Sequence, residues 1–178
     1  MKMKLLIVVD FQNDFISGTL GFPKALELET GISDKIKTYK ARGDDVLFTY
    51  DTHYDNYLDT QEGKRLPITH CIKDTWGWEL ADSIKGDSGY KITKNTFGAP
   101  DLFSFLKNTF YEEIELVGLV SNICVVSNAV IAKTASPQAR VVVDASLTAS
   151  SDEDLHEKVL DVMAGLQIDI INRGTKNE

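Results

Sequence analysis

The sequence has few cysteines, no long apolar run and no cluster of basic residues, and each shortage excludes a class of protein. Two cysteines in 178 residues cannot form a disulfide framework. No stretch approaches the roughly 18 apolar residues that a membrane-spanning helix needs. The formal net charge is −8, so a nucleic-acid backbone or an anionic membrane surface would be repelled on average. We therefore predict a protein that binds neither nucleic acid nor membrane.

Motifs that cradle phosphate groups are also absent. There is no Gly-x-Gly-x-x-Gly after the first apolar segment and no Gly-x-x-x-x-Gly-Lys-Ser/Thr anywhere. That first segment, Leu5 to Val9, is too short for a secretory signal and lacks a small-residue cleavage site, which favours a β-strand. We predict a cytoplasmic protein with free thiols, consisting of a single domain over residues 1–178 with a frayed polar tail at 172–178.

Strand-like and helix-like segments alternate along the chain. This pattern predicts an α/β fold: one doubly wound, Rossmann-like, mostly parallel sheet with helices on both faces. The predicted strands are 5–9, 45–50, 89–92, 113–120, 139–143 and 168–171, and the predicted helices are 25–41, 76–84, 99–107, 122–133 and 152–166. Residues 52–75 show neither periodicity, and so long an irregular stretch is usually functional or disordered.

Cys124 stands where an apolar strand has broken at Gly118 and a helical pattern restarts around Asn122. Backbone N–H groups without intrahelical partners and the positive end of the helix dipole both favour a thiolate there. The pKa of the thiol is therefore predicted to fall below its free value of about 8.5, as suits a nucleophile. By itself, a lone cysteine beside two valines is more often a small buried hydrophobe.

Other reactive groups are predicted to meet Cys124 at one edge of the sheet. Ligands bind beyond the carboxyl ends of strands in such sheets, and Asp10 and Asp51 each lie at a strand end. Lys94 follows a short strand and can reach the same edge. Asp10 would accept the thiol proton, and Lys94 would lower the pKa of carboxylate and thiol alike. Taken singly, Asp10 could merely cap the turn that follows it, and Lys94 could be a surface charge.

The irregular segment carries a second group of polar side chains. Asp51 and His53 alternate, so both leave an extended strand end on one face, and Glu62 and His70 follow in the loop. Two imidazoles and two carboxylates suit Zn²⁺, Mn²⁺ or Fe²⁺ better than Ca²⁺. The alternative is a solvent-exposed polar loop with two ordinary histidines.

Five short motifs occur in order along the chain. They are Val9-Asp10-Phe-Gln-Asn-Asp-Phe15, Asp51-Thr-His53, Leu66-Pro-Ile-Thr-His-Cys71, Lys94-Asn-Thr-Phe97 and Gly118-Leu-Val-Ser-Asn-Ile-Cys-Val125. Through these motifs the chain, from Leu5 to about Ile171, resembles the isochorismatase-like cysteine hydrolases and, among them, the nicotinamidases. The resemblance implies a catalytic triad of Asp10, Lys94 and Cys124. It also implies a cis peptide at Leu119-Val120, with the N–H groups of Val120 and Cys124 forming an oxyanion hole.

The resemblance further implies a divalent metal ion that holds the pyridine nitrogen of the substrate. Its motifs assign Asp51, His53 and His70 as ligands, whereas the fourth ligand varies between a histidine and a glutamate among relatives. We predict Glu62 rather than Asp59 for that position.

The same motifs suggest the walls of a substrate pocket. Relatives place an aromatic residue at the position of Phe15, which could equally be plain core, and Phe97 is the next candidate. Many nicotinamidases have an aromatic residue where Pro67 stands here, and Leu66 is predicted to fill that gap. This departure leaves small amides other than a flat pyridine open as substrates.

Some remaining residues are predicted to be structural. Cys71 is most simply a buried small residue, although a replacement metal ligand is conceivable, and Trp76 and Trp78 are expected to pack. His156, on a late helix, is expected at the surface.

The predicted function is hydrolysis of nicotinamide to nicotinate and ammonia in NAD salvage, through a cysteine thioester. The alternative is a related cysteine hydrolase acting on an N-carbamoyl or other small amide. A phospho-signalling receiver domain, which also uses strand-end aspartates and a lysine, would leave Cys124 and the histidine-bearing loop unexplained. The expected partner is a small-molecule amide, and the relatives are often oligomeric, so a homo-oligomer is possible.

Overall fold

A six-stranded sheet forms the centre of the protein. In the computed structural model, which describes residues 3–174, the strands are β1 (Lys4–Val9), β2 (Asp45–Asp51), β3 (Tyr90–Lys94), β4 (Glu113–Leu119), β5 (Arg140–Ala149) and β6 (Asp169–Ile171). Their order is β3-β2-β1-β4-β5-β6, and each neighbouring pair is parallel. The predicted α/β doubly wound sheet is confirmed, and it is parallel throughout rather than mostly parallel.

Within residues 3–174, seven α-helices lie on the two faces of the sheet or in its connections. They are α1 (Asn13–Ile16), α2 (Pro23–Glu27), α3 (Glu29–Ala41), α4 (Gln61–Arg65), α5 (Pro100–Lys107), α6 (Val126–Ala135) and α7 (Glu153–Gly165). Apolar side chains of α1, α2 and α3 pack in one core, and those of α5, α6 and α7 pack in the other. Helices therefore cover both faces, as predicted.

The sequence of β1 is apolar without interruption because both faces of the strand are covered. Leu5, Ile7 and Val9 belong to the core under α5–α7, whereas Leu6 and Val8 belong to the core under α1–α3. All five side chains are fully buried. Because successive residues of a strand point to opposite faces, a central strand covered on both sides needs an apolar residue at each position. Each such side chain contributes about 1.5–3 kcal/mol by its burial.

The strand order places the switch point of the sheet at the carboxyl ends of β1 and β4. From β1 the chain builds the sheet outward through β2 and β3, and from β4 it builds the other way, which makes this pair the switch point where ligands bind. Gly118 in β4 has φ +109°, and a Cβ there would lie 2.1 Å from the carbonyl oxygen of Val9. Glycine therefore allows the two strand ends to approach closely.

Several predicted elements have different bounds in the structure. The predicted helix 25–41 is divided at Leu28 into α2 and α3, and the predicted helix 76–84 is reduced to a 3₁₀ turn over Trp76–Trp78. The chain is extended from Glu79, and Leu80 pairs with Gln12 in an isolated antiparallel bridge, so the helix does not continue. The predicted strand 139–143 is longer as β5. The irregular segment 52–75 contains one 3₁₀ turn and α4.

The expectation of a frayed tail is wrong at its first residues. Asn172 donates to a carboxylate oxygen of Asp144 at 2.9 Å, and Arg173 pairs with Glu157 and Asp161 at 2.6 Å each. The rest of the predicted tail, 175–178, lies outside the described residues. Within residues 3–174, no helix has the length and apolar character needed to span a bilayer.

Candidate active site

Four reactive side chains meet at the carboxyl edge of the sheet. Asp10 directly follows β1, Asp51 ends β2, Lys94 ends β3 and Cys124 lies in the turn after β4. Asp51 and Lys94 are register partners across β2 and β3, which places them side by side. The structure thus brings together the nucleophile, the base and the lysine that the sequence predicts.

Lys94 is the centre of this group. Its Nζ lies 2.6 Å from Oδ2 of Asp10, 3.3 Å from Oδ1 of Asp51 and 3.6 Å from Sγ of Cys124, and it donates to the carbonyl oxygen of Thr96 at 3.0 Å. The side chains of Lys94 and Asp10 are completely buried. The alternative of a surface lysine is therefore wrong, because this ammonium group is enclosed by acceptors.

Asp10 is held by the neighbouring strand. The hydroxyl of Thr49 donates to Oδ1 of Asp10 at 2.7 Å and accepts from its backbone N–H at 3.1 Å. Oδ2 lies 2.6 Å from Nζ of Lys94. The residue has φ 43°, in the left-handed region, where the chain turns out of β1. Thr49 thus fixes one carboxylate oxygen, and Lys94 contacts the other.

Burial controls the protonation of these groups. It raises the pKa of the Asp10 carboxyl, with Lys94 acting in the opposite direction. It raises the pKa of the Cys124 thiol well above its ordinary value, and Asp10 adds to the rise while Lys94 opposes it. The pKa of Lys94 is raised despite burial, because Asp10 and Cys124 favour its charged form. The predicted fall in the thiol pKa is therefore wrong, because desolvation outweighs the helix terminus.

The turn that carries Cys124, the predicted nucleophile, is wound wider than an α-helix, and we call it the nucleophile turn. Residues Ser121–Val125 form a π-helical turn that leads into α6, and the Leu119–Val120 peptide is cis, as the family resemblance implies. The sequence gives no indication of how this turn is anchored. Asn128 of α6 donates to the carbonyl oxygens of Cys124 and Phe97 at 2.8 and 3.2 Å. It thereby ties the nucleophile turn to the segment after Lys94.

His156 does not lie at the surface, contrary to expectation. It is half-buried, and its Nδ1 lies 2.9 Å from the hydroxyl of Ser121, which is completely buried. Burial lowers the pKa of the imidazole. This contact joins α7 to the first residue of the nucleophile turn.

A second cluster adjoins the first through Asp51. Ligand atoms of Asp51, His53, Glu62 and His70 all lie within 4.8 Å of one another. Nε2 of His53 is 3.0 Å from Oδ2 of Asp51 and 3.7 Å from Oε1 of Glu62. Nε2 of His70 is 3.4 Å from the same oxygen of Asp51 and 3.7 Å from the same oxygen of Glu62. Asp59, the alternative for the fourth ligand, is not part of this group. The structure therefore gathers the four side chains that the sequence analysis selects as ligands.

The cluster has the chemistry of a transition-metal site. A tetrahedral ion with bonds of about 2.0–2.1 Å separates its ligand atoms by about 3.3 Å, close to the distances observed. Nδ1 of His70 is 2.7 Å from the carbonyl oxygen of Ile68. When Nδ1–H donates to this oxygen, Nε2 keeps a lone pair with which it can bind a metal ion. Although burial opposes ionisation, hydrogen bonds with His53 and His70 hold the pKa of Asp51 well below its ordinary value. These residues fit a divalent zinc, manganese or iron ion.

The candidate substrate residues are dispersed. Phe15 is buried and stands edge-on to the ring of His70, with 5.6 Å between ring centroids. Leu66 and Phe97 lie at the surface, 37% and 45% exposed. A cavity of about 370 Å³ adjoins this cluster of four predicted metal ligands, which we call the metal cluster. Its walls are Thr52, His53, Tyr54, Asn56, Tyr57, Thr60, Gln61, Glu62, Asn95 and Thr96. Phe15 thus places its ring against a predicted metal ligand, whereas Leu66 contacts another through its backbone N–H, which donates to the carbonyl of Glu62 at 2.8 Å.

The residues expected to be structural are mostly placed as such. Cys71 is completely buried, and its Sγ points to the carbonyl of Gly77 at 4.0 Å rather than into the metal cluster. Trp78 donates its indole N–H to the hydroxyl of Thr52 at 2.9 Å, whereas Trp76 is 56% exposed.

Comparison with known families gives one match along nearly the entire chain. The family model described as the isochorismatase domain matches residues 4–173. The nicotinamidase of Saccharomyces cerevisiae is 28% identical over 96% of this chain and its own full length. The nicotinamidase/pyrazinamidase of Mycobacterium tuberculosis is 29% identical over 95% of this chain and 98% of its own.

Solved structures agree with these relatives. The crystal structure of a nicotinamidase from Bacillus subtilis superposes with a TM-score of 0.83 at 28% identity, covering 96% of this chain and 99% of that one.

Proposed function

The chain belongs to the isochorismatase domain family and is a nicotinamidase-like hydrolase of amide C–N bonds; from that premise we propose that it converts nicotinamide to nicotinate and ammonia through a thioester on Cys124. We place this reaction in NAD salvage. The match over residues 4–173 and the similarity to nicotinamidases of two organisms support the reaction class. The cysteine mechanism rests on the chain's own geometry.

One observation carries the mechanism: the single ammonium group of Lys94 contacts Asp10, Cys124 and Asp51. A buried carboxylate and a buried thiol share one proton beside one fixed positive charge. Moving the proton from sulfur to Asp10 leaves the total negative charge around Lys94 unchanged, because Asp51 stays ionised throughout. The transfer therefore does not create an uncompensated buried charge.

Acylation begins with that transfer. Asp10 takes the thiol proton of Cys124, and the sulfur attacks the carboxamide carbon. The N–H groups of Val120 and Cys124 receive the oxyanion of the tetrahedral intermediate. Protonated Asp10 then gives its proton to the departing nitrogen, so the C–N bond breaks, ammonia leaves and a thioester remains.

Deacylation uses the same carboxylate again. Asp10 takes a proton from a water molecule, whose oxygen attacks the thioester carbon. The C–S bond breaks, the acid is released and the proton returns to the sulfur. The raised pKa of Asp10 suits both roles, because it brings the carboxyl closer to the pH at which it must act as acid and as base.

Asp51, His53, Glu62 and His70 would hold the metal ion, and we propose zinc, manganese or iron for it. Such an ion, when bound, offers a Lewis-acid position for a donor atom of the substrate. Phe15 stands against His70 and so would flank a planar ring held near the cluster. A flat heteroaromatic amide is the substrate that this arrangement favours.

Ammonia release from nicotinamide tests the proposal. We expect turnover by the wild-type protein and its loss in Cys124→Ala, with nicotinamide binding and thermal stability retained in the variant. Retained turnover in Cys124→Ala would reject the nucleophile. Removal of the metal with a chelator should chiefly raise KM, and unchanged rate and affinity in demonstrably metal-free protein would reject the metal role.

One sequence feature supports an alternative substrate. Pro67 replaces the aromatic residue of many nicotinamidases, and the neighbouring Leu66 is 37% exposed. The assay therefore includes N-carbamoyl and aliphatic amides. Turnover of one of these without turnover of nicotinamide would preserve the triad and reject the proposed substrate.

A further inference from the structure

We infer that Asp14 and Gln12 are positioning residues of the metal site, which hold the ligand-bearing backbone and connect it to the catalytic base. Both belong to the segment that follows Asp10, and both are buried. The inference rests on the metal site of the proposed function. It concerns two side chains that neither bind the ion nor touch the substrate.

The Asp14 carboxylate is fixed on the loop that carries His70. Its Oδ2 accepts from the backbone N–H of Cys71 at 2.7 Å, and its Oδ1 accepts from that of Thr19 at 3.3 Å. A Cβ on Gly77 would lie 2.1 Å from Oδ2, so the loop packs directly on this group. The carboxylate is thus enclosed and has a defined orientation.

The backbone of Cys71 is the point at which both histidines depend on this contact. Cys71 directly follows His70, and its carbonyl oxygen accepts from the backbone N–H of His53 at 2.9 Å. Its φ of 46° lies in the left-handed region, which a residue other than glycine adopts at a cost. The hydrogen bond to Asp14 stabilises that conformation. A single carboxylate therefore aligns the segments that bear His53 and His70.

Gln12 holds the third ligand in the same manner. Its amide oxygen accepts from the backbone N–H of Asp51 at 2.8 Å, and its amide nitrogen donates to the carbonyl of Asp51 at 2.9 Å. The same nitrogen donates to the carbonyl of Trp78 at 2.8 Å. Because these bonds use all the hydrogen-bonding directions that face Asp51, neither a carboxylate nor an apolar side chain can replace this amide.

The two contacts give the segment after β1 a function beyond the turn itself. It presents Asp10 to the thiol and, within four residues, fixes the backbone of Asp51 and Cys71. Partners that orient metal ligands typically change metal affinity about 10- to 100-fold when they are removed.

Zinc affinity of the full chain tests the inference. The metal-stripped protein is titrated with Zn²⁺ against a chelating indicator. We expect Asp14→Asn to weaken binding about 10- to 100-fold, because an amide turned to accept from one of the two N–H groups must face the other with its own donors. Gln12→Glu, an independent variant if Asp14→Asn does not fold, should weaken binding about 10-fold through repulsion between its carboxylate and the Asp51 carbonyl.

A matched control separates positioning from general stability. Asp144 is another buried carboxylate that accepts a backbone N–H, that of Ser146 at 3.0 Å, but it lies away from the metal cluster. Asp144→Asn should lower the melting temperature with wild-type zinc affinity. The absorption bands of bound Co²⁺ should shift in Asp14→Asn and stay unchanged in Asp144→Asn.

The outcomes distinguish this inference from the proposed function. If Asp14→Asn and Gln12→Glu bind Zn²⁺ as tightly as the wild type, the inference is overturned even where ammonia release continues. If the wild-type protein does not bind Zn²⁺, the inference also fails. If the wild type binds Zn²⁺ and the variants bind it weakly, the inference stands whether or not nicotinamide is the substrate.

Discussion

Lys94 is buried and Lys35 is partly buried, and each lies among carboxylates, but the two surroundings differ. Lys94, at the carboxyl edge of the sheet, faces Asp10, Asp51 and a thiol. Lys35, of α3, contacts Glu115 of β4 and Asp144 of β5 in the middle of one sheet face. We call these the edge cluster and the face cluster.

The face cluster is saturated with hydrogen bonds. Tyr39 donates to Glu115 at 2.5 Å, and Asp144 accepts from the backbone and hydroxyl of Ser146 at 3.0 and 2.6 Å. In the edge cluster, Asp10 accepts from one hydroxyl, that of Thr49 at 2.7 Å, and contacts Lys94 at 2.6 Å. Hydrogen bonds to the charged form favour ionisation of a buried carboxylate, so the carboxylate with fewer of them is the better proton acceptor.

The pKa shifts follow from this difference. Burial opposes ionisation of Asp144, but hydrogen bonds from Lys35 and Ser146 hold its pKa below the ordinary value. Burial raises the pKa of Asp10, and Lys94 only moderates the rise. The same pair of residue types therefore gives a structural ion pair in one place and a proton acceptor in the other.

The largest expected effect is that of Lys94→Met. Without the ammonium group, nothing compensates the charge that moves between sulfur and carboxylate, so kcat/KM should fall about 10³-fold. Lys91→Met, in the same strand but exposed, should leave it unchanged. Ammonia release measured for both variants checks this, and equal activities would remove the distinction between the clusters.

The corresponding change in the face cluster is Lys35→Met. It leaves two buried carboxylates without their cation, so the free energy of unfolding should decrease by about 3–5 kcal/mol, while kcat per folded molecule stays unchanged. Urea unfolding gives the first quantity and active-site titration the second. Lys37→Met, on the same helix with 69% of its side chain exposed, is the control and should change neither. A loss of kcat in the folded Lys35 variant would contradict the structural role.

Acid should separate the two clusters by pH. The pKa of Asp10 is raised in the folded state, so Asp10 becomes protonated, and activity falls, at a pH higher than the ordinary pKa of an aspartate, about 3.9. Protonation of Asp10 also adds stability to the fold as the pH falls through this raised pKa. Asp144 has a lowered pKa, so its contribution to stability is present above about pH 3.9 and is lost below it. Activity should therefore disappear at a higher pH than the fold. Coincident loss in kcat/KM and circular dichroism would contradict this order.

The sequence predicts the edge cluster far better than the face cluster, and the reason is physical. Strand ends of a parallel sheet converge at one edge, so a reactive residue after each strand can be placed without coordinates. Lys35, Glu115 and Asp144 lie in mid-element positions far apart in the chain, and their meeting depends on how α3 crosses β4 and β5. No local pattern encodes that crossing.

Local reasoning also fails where tertiary packing decides the chemistry. The pKa of Cys124 was predicted from a helix terminus, but burial by the surrounding core reverses the direction. The helix predicted over 76–84 is replaced by a 3₁₀ turn, after which the chain is extended and Leu80 pairs with Gln12 in an antiparallel bridge. The first error comes from desolvation, which a short stretch of sequence does not predict. The second comes from contacts between segments more than 60 residues apart in the chain.

The smallest expected effect compares the hydroxyls that bind the two aspartates. Thr49 donates to Asp10 at 2.7 Å, and Ser146 donates to Asp144 at 2.6 Å. Each hydrogen bond lowers the pKa of its carboxyl, so its removal raises that pKa, with a cost of about 1 kcal/mol. Thr49→Val should therefore move the acid limb of the kcat/KM profile to higher pH, and Ser146→Ala should move the acid unfolding midpoint to higher pH. If each substitution moved both properties, the two clusters would be coupled, and the division between a reactive and a structural lysine would be wrong.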